Sequence, residues 1–282
     1  MAGLNPTIGA LLYAQNLLVL MIMVREFVKV VWFRCFSVFF LVISFCSHGE
    51  KLVIGVEDIA YYPYFDFKTQ DPSFSKDLLD KFADDNGHQI TYLPLPISRF
   101  STWLFEENID FKFPDNQRWQ EAWDTRNLTI YFSDDVVRMT AGTVILSKNK
   151  GKKAESIRNI GTITGFLPTQ WLEQIKQGKV KLIEDSSPKV LVNQLTHNIV
   201  DGLDIDLAVA NYHLHELQQE ETLVLSQTAS RQVFAYQLSS VKYPFIIEQF
   251  NRWLEKNQLF INKLKKQYGI LAVEPSLVDI NH

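Results

Sequence analysis

The sequence predicts an α/β protein built as two units with a closing return. Short β-branched apolar runs alternate with segments whose apolar residues recur at helical spacing. The alternation occurs in two successive series, and a long helical segment follows the last strand. Strands alternating with helices imply parallel sheets covered on both faces. A chain of 282 residues, 46% hydrophobic and 21% charged, is long enough to bury a real core in one large domain or two modest lobes.

The first 49 residues read as a targeting segment. Arg25, Lys29 and Arg34 precede an uncharged run from Cys35 to Cys46, and Ser47 and Gly49 supply small residues for a cut after Gly49. The run is shorter than the roughly 20 apolar residues a bilayer span requires, so a cleaved signal peptide is expected. The rival reading is a membrane anchor extended by the apolar stretch Ile8 to Val24. Residues 1–20 lack a basic start, which makes Met21 or Met23 alternative first residues, and Phe45 is too large to precede a lipidated Cys46. Both cysteines fall in this segment, so the exported chain has neither a disulfide nor a thiol nucleophile.

Beyond it, Leu52-Val-Ile-Gly-Val56 is a buried strand leading into the loop Tyr61-Tyr-Pro-Tyr-Phe65. Ser75 starts a helix with Leu78, Leu79 and Phe82 on one face, and Asn86-Gly87 stops it. Strand Gln89 to Leu95, helix Phe100 to Glu107, strand Ile109 to Phe113 and helix Gln117 to Trp123 follow. A long β-rich stretch from Thr129 to Leu146 is expected to link two lobes. The second series begins at Asn159-Ile-Gly-Thr-Ile-Thr-Gly165. It continues as helix Thr169 to Lys176, strand Lys179 to Ile183, helix Pro188 to Thr196 and strand Gly202 to Val209. Strand Gln232 to Leu238 and the helical stretch Tyr243 to Tyr268 complete the chain.

Charge and motifs exclude several functions. With 28 Lys+Arg against 32 Asp+Glu and no long basic block, a nucleic-acid partner is not expected. There is no Gly-x-Ser-x-Gly elbow and no GxxxxGK[ST] loop, and Gly161-Thr-Ile-Thr-Gly165 lacks the third glycine of a dinucleotide fingerprint. No cofactor and no metal are expected. His213-Leu-His215 would present two imidazoles on one side of a strand but splay them on a helix, and surface histidines are the simpler reading.

Two clusters can bind a ligand. Asp204 and Asp206 lie near the end of a predicted strand, where open α/β sheets bind ligands. They can share a cationic group, or one of them can cap the next helix. Asp58 precedes Tyr61, Tyr62 and Tyr64, and an aromatic face receives an ammonium group by cation–π attraction. Tyr61 is the expected ligand-facing ring; Tyr64 and Phe65 are expected to pack over the sheet edge.

In order and spacing, these parts resemble the bacterial extracytoplasmic solute-binding proteins of the polar-amino-acid ABC transporter type. The resemblance runs through Leu52 to Phe67, Phe74-Ser-Lys-Asp-Leu78, Asn108-Ile-Asp110 and Tyr131-Phe-Ser-Asp134. It continues in Val200-Asp-Gly-Leu-Asp-Ile-Asp206 with Tyr212, and in the final helix ending Tyr268-Gly269. It implies a type II periplasmic-binding-protein-like fold, two lobes joined by two crossing strands near Val137 to Gly142 and Arg231 to Tyr236. Residues 50–140 would form lobe 1, residues 141–235 lobe 2, and residues 236–282 the return to lobe 1.

The same resemblance implies the site. Asp58 and Tyr61 would face the ligand from lobe 1, and Asp206 would hold an α-amino group from lobe 2. Asn116, Arg118 and Trp119 occupy the segment where the family grips a carboxylate through arginine, although the Thr-x-x-Arg pattern is absent, leaving Arg118, Arg126 and Arg138 as alternatives. Gly165 and Phe166 replace the family's Gly-Thr anion loop. The implied function is a monomeric periplasmic protein without catalytic activity. It would capture a small polar solute, an amino acid or related compound, for the membrane permease of an ABC importer. The alternatives are a dehydratase-like enzyme on the same fold and the ligand-sensing partner of a membrane receptor.

Overall fold

A computed structural model describes residues 49–69, 71–120, 128–270 and 273. Residues 50–282 form one compact unit. The expected signal peptide and Arg126 lie outside the described residues.

β1 (Lys51–Glu57) is followed by α1 (Phe74–Asn86), which ends where Gly87 adopts a left-handed φ of 74° and its N–H closes on Ala83 and Asp84 carbonyls. Then come β2 (Gln89–Leu95), a 3₁₀ turn at Ile97–Thr102, α2 (Trp103–Glu106), β3 (Phe111–Asp115) and α3 (Gln117–Gln120). The expected strand over Thr129 to Leu146 is instead divided into β4 (Tyr131–Phe132), β5 (Val137–Ala141) and β6 (Val144–Leu146). β4 and β5 pair with different parts of β11, whereas β6 lies between β10 and β9 in the other sheet, so one straight strand cannot serve them all.

The second series runs β7 (Asn159–Ile163), α4 (Leu172–Lys176), β8 (Lys181–Asp185), α5 (Pro188–Thr196), β9 (Gly202–Asp204) and α6 (Leu207–Glu216). β9 stops well short of Val209, the expected end, because Asp206 caps α6, its carboxylate accepting the Ala208 N–H at 2.7 Å. After β10 (Leu223–Leu225) and β11 (Gln232–Ser240), the closing helical stretch is two helices, α7 (Pro244–Lys256) and α8 (Gln258–Gln267), separated at Asn257.

The strands assemble into two sheets, and each sheet is the centre of one lobe. The first has the order β2-β1-β3-β11-β4, with β1 parallel to β2 and β3, and the second has the order β10-β6-β9-β7-β8, with β7 parallel to β8 and β9. β11 serves twice: Gln232 to Tyr236 pairs with β5, while Gln237 to Ser240 pairs with β3 and β4. β5 and β11 are the crossing strands, and Tyr236 sits where the crossing enters the first sheet.

Apolar faces hold this arrangement. Phe82 of α1 packs on Phe250 and Trp253 of α7, with ring centroids 4.8 and 5.8 Å apart, and the Trp253 indole N–H donates to Asp85 at 2.9 Å. In the second lobe, Gly202 lets β9 approach β6, because a Cβ there would stand 2.6 Å from Thr143 Cγ2 and 3.3 Å from the Val144 carbonyl. Thr143 has no freedom to rotate away, since its hydroxyl takes the Trp171 indole N–H at 3.0 Å. Gly202→Ala is therefore expected to cost about 1–3 kcal/mol by overpacking, measured as a lowered urea midpoint with unchanged slope. An unchanged midpoint would mean that β6 and β9 are not held this closely.

Candidate functional site

The carboxyl ends of β1, β3 and β9 all feed one region between the lobes, the end at which α/β sheets present ligand-binding groups. The loop after β1 carries Tyr61, buried at 3% exposure, with Phe65 stacked at 5.5 Å and Tyr64 at 6.4 Å. This loop folds on itself through hydrogen bonds between the Tyr61 and Phe65 backbones.

Tyr61 then reaches across to lobe 2. Its hydroxyl accepts the Asp206 N–H at 2.8 Å, and Phe166 meets its ring edge-on at 5.5 Å. Two further contacts join the lobes here. Tyr62 lies 4.2 Å from Tyr212 of α6, and Gly165, at φ 91°, closes on Ile97, which a Cβ would approach to 3.1 Å.

Acidic groups surround these rings. Asp206 is partly buried, caps α6 and takes a hydrogen bond from the Tyr64 hydroxyl. Burial pushes its carboxyl up to about 6 against those hydrogen bonds. Asp204 accepts from Gln170 Nε2 at 3.0 Å, and burial raises it to about 6 as well. On the lobe 1 side Glu57 is buried, and desolvation raises its carboxyl to about 8 although Lys112 pulls the other way. Burial, reinforced by Asp206, pushes the hydroxyls of Tyr61 and Tyr64 well up, so both rings are neutral. Chemically the arrangement is a set of neutral aromatic faces flanked by carboxyls, suited to an ammonium or guanidinium group.

The residues expected from the sequence separate into groups. Tyr61, Phe166, Gly165 and Asp206 meet at the junction just described. Trp119 packs against Phe100, Phe234 and Tyr236 at 5.7 to 6.3 Å, beside the junction. Asn116 is tied to the crossing strand: its amide donates to the Ala235 carbonyl at 2.6 Å and its oxygen accepts the Arg118 N–H at 2.9 Å. Arg118 is exposed and its guanidinium donates to the Val233 carbonyl at 3.3 Å. Asp58 is exposed and ion-paired with Lys68 at 2.9 Å, away from the buried carboxyls. Arg138 pairs with Asp135 at 2.6 Å beside an open groove of about 1120 Å³ that also includes Lys265 and Lys266, outside the tyrosine cluster.

The expectation of surface histidines at His213 and His215 needs correction. Both ride on α6 and diverge; His215 is exposed, but His213 is buried and its Nδ1 lies 2.8 Å from Glu216. Among the described residues no group of three His, Cys, Asp or Glu side chains is placed to hold a metal ion.

Sequence reasoning missed Glu57, Lys112, Tyr236 and Gln170. A signal existed for the first two: each is a charged residue directly beside apolar strand residues, Glu57 after Val56 and Lys112 between Phe111 and Phe113. A charge buried in a strand requires a partner or a ligand.

Neither a family model nor a curated protein sequence matches this chain. Solved structures do. An ancestral arginine-binding protein bound to arginine superimposes with a TM-score of 0.61 at 18% identity over 77% of this chain and 97% of that one. An arginine transport system periplasmic binding protein from Legionella pneumophila gives 0.58 at 14% identity, covering 78% of this chain and all of that one. An ancestral amino acid-binding protein, a precursor of cyclohexadienyl dehydratase, gives 0.58 at 18% identity over 77% and 95%. The chain therefore has the two-lobed fold of the type II periplasmic binding proteins. Among the described residues no helix is long and apolar enough to cross a membrane.

The raised carboxyls fix a sign for stability against pH. Asp204, at about 6 when folded and near 4 when unfolded, binds its proton more tightly in the folded chain, so its contribution is present at low pH and is lost as pH rises through about 4 to 6. Asp204→Asn keeps the acceptor for Gln170 and cannot ionise. Its stability relative to the parent should grow by about 1–3 kcal/mol between pH 4 and 7, read from urea midpoints. A difference that stays flat or shrinks over that range contradicts the assignment.

Proposed function

We propose that this protein is an extracytoplasmic solute-binding protein. It captures a small polar, amine-bearing solute between its lobes, with amino acids and related compounds the leading class, and presents it to the permease of an ABC importer. The observation that carries the reading is the junction of Tyr61 with Asp206 and Phe166: a neutral aromatic ring and a carboxylate from opposite lobes meet at the strand ends. A solute amine seated there is compensated by Asp206 and covered by the Tyr61 face, and lobe closure excludes water from the pair. The similarity to amino-acid-binding proteins supports the solute class, and the amino-terminal basic and apolar pattern supports export to the periplasm. The protein is a monomer in this reading.

A second reading is favoured by one observation. Asp204 and Asp206 both hold carboxyls raised to about 6, which suits a proton donor and acceptor near neutral pH. A dehydratase acting on a small carboxylated ring is the activity this would serve, in line with the dehydratase precursor among the similar structures. Turnover separates the two: a binder returns its ligand unchanged.

A thermal-shift screen of amino acids, amines and organic acids on residues 50–282 tests the proposal, since a ligand of the folded state raises the melting point. Amines are expected to stabilise the parent. Asp206→Ala is expected to weaken the best of them by about 2–4 kcal/mol, the cost of leaving a desolvated cation unpaired. Stabilisation by organic acids alone, or unchanged affinity in Asp206→Ala, would contradict it.

A further inference from the structure

The groove of about 1120 Å³ beside Arg138 shares no lining residue with the junction of Tyr61, Phe166 and Asp206. Its walls come from separate elements. Arg138 belongs to the crossing strand β5, Gln237 to the crossing strand β11, and Lys265 and Lys266 to the last turn of α8.

Charge in the groove is unbalanced. Three cations, Arg138, Lys265 and Lys266, stand against two carboxylates, Asp134 and Asp135. Asp135 is already committed: Oδ2 takes the Arg138 Nε–H at 2.6 Å and Oδ1 takes the Gln237 amide N–H at 3.2 Å. The Gln237 amide oxygen in turn accepts the Gln117 N–H at 3.1 Å, so one edge of the guanidinium is held in place from α3 through β11. That hydrogen bond runs from Nε, and the two terminal amino groups of Arg138 donate to no described residue.

The lysines are left over. Among the described residues neither the Lys265 nor the Lys266 ammonium has a hydrogen bond or an ion pair, and Asp134 is exposed without a bond to either. Lys265 is half-buried, and burial followed by the Arg138 charge holds its ammonium below the usual lysine range. Two cations thus act on each other where no described carboxylate answers Lys265. Lysines in the last turn of a helix are favoured by its dipole whatever they line, so their place on α8 does not carry the inference. The guanidinium from another element, held by one edge and acting on Lys265, does.

We propose that this groove is a second binding site, for a multivalent oxyanion such as a phosphate group or a dicarboxylate. The terminal amino groups of Arg138 grip two of its oxygens as a fork, and Lys265 and Lys266 neutralise the remaining charge. The bound anion ties a crossing strand to the last helix of lobe 1. This site stands apart from the amine cleft and does not depend on that reading.

Inorganic phosphate and succinate, titrated separately into residues 50–282 by calorimetry at an ionic strength fixed with potassium chloride, make the test. At least one should bind saturably with a Kd of about 1 mM or tighter. Arg138→Gln and Lys265→Gln should each weaken it at least about tenfold. Arg138→Lys keeps the charge without the fork and should lose less than Arg138→Gln, which guards against a folding defect in the latter. Lys176→Gln removes an exposed lysine from the last turn of α4, outside the groove, and should leave the affinity unchanged. Saturable binding of neither anion, or losses as large in Lys176→Gln as in Lys265→Gln, would overturn the site. The chain also carries its own acids beyond Val273, Glu274 and Asp279. If an oxyanion binds only after Glu274→Gln and Asp279→Asn are combined, the groove serves the chain's own carboxylates and the proposal falls.

Discussion

A single hydrogen bond organises the region between the lobes: the Tyr61 hydroxyl of lobe 1 accepting the Asp206 N–H of lobe 2 at 2.8 Å. Much else follows from it. Asp206 must end β9 and cap α6 for its N–H to point across, which shortens the strand to Gly202–Asp204. Its carboxylate then turns back to the Ala208 N–H and the Tyr64 hydroxyl. Tyr61 must be buried to reach it, and the aromatic loop after β1 folds around Phe65 to make that burial possible. Gly165 permits the close approach of the opposite wall, since any Cβ would press on Ile97 at a backbone angle that side chains rarely adopt.

The electrostatics of the site are the cost of this geometry. Closing aromatic surfaces over carboxyls removes their water, and desolvation rather than neighbouring charge is the largest cause of the raised values at Glu57, Asp204 and Asp206. Groups held this way are destabilising when ionised alone, and in the proposed reading an entering solute cation offsets that cost.

Much of the fold was legible because its signals are local. The Ser75 to Gly87 helix, the Pro188 to Thr196 helix and the strands at Leu52, Gln89 and Gln232 carry apolar spacing and end signals that tertiary contacts reinforce. The long stretch Thr129 to Leu146 was not, because its three strands share one β-rich composition, and only long-range pairing separates β4 and β5, on different parts of β11, from β6, between β10 and β9. The site was legible in part. Aromatic and acidic clustering pointed to Tyr61 and Asp206, which the fold brings into contact, but Glu57-Asp58 is a pair of adjacent acids, and composition does not say which points inward. In the strand one faces Lys112 and Asp115 while the other pairs with Lys68 in solvent. Arg118, in the expected segment, donates to the Val233 carbonyl of the crossing strand, a contact that no sequence pattern announces.

The most direct measurement is the distance between the lobes with and without the Tyr61 hydroxyl. Residues 50–282 contain no cysteine, so spin labels can be placed through introduced cysteines at the exposed positions Leu259 of lobe 1 and Ile199 of lobe 2. Pulsed electron resonance should give a narrow distribution in the parent and a longer, broader one in Tyr61→Phe, with the narrow distribution restored by a bound amine. Identical distributions in the two proteins would show that the Tyr61 to Asp206 bond does not hold the lobes together.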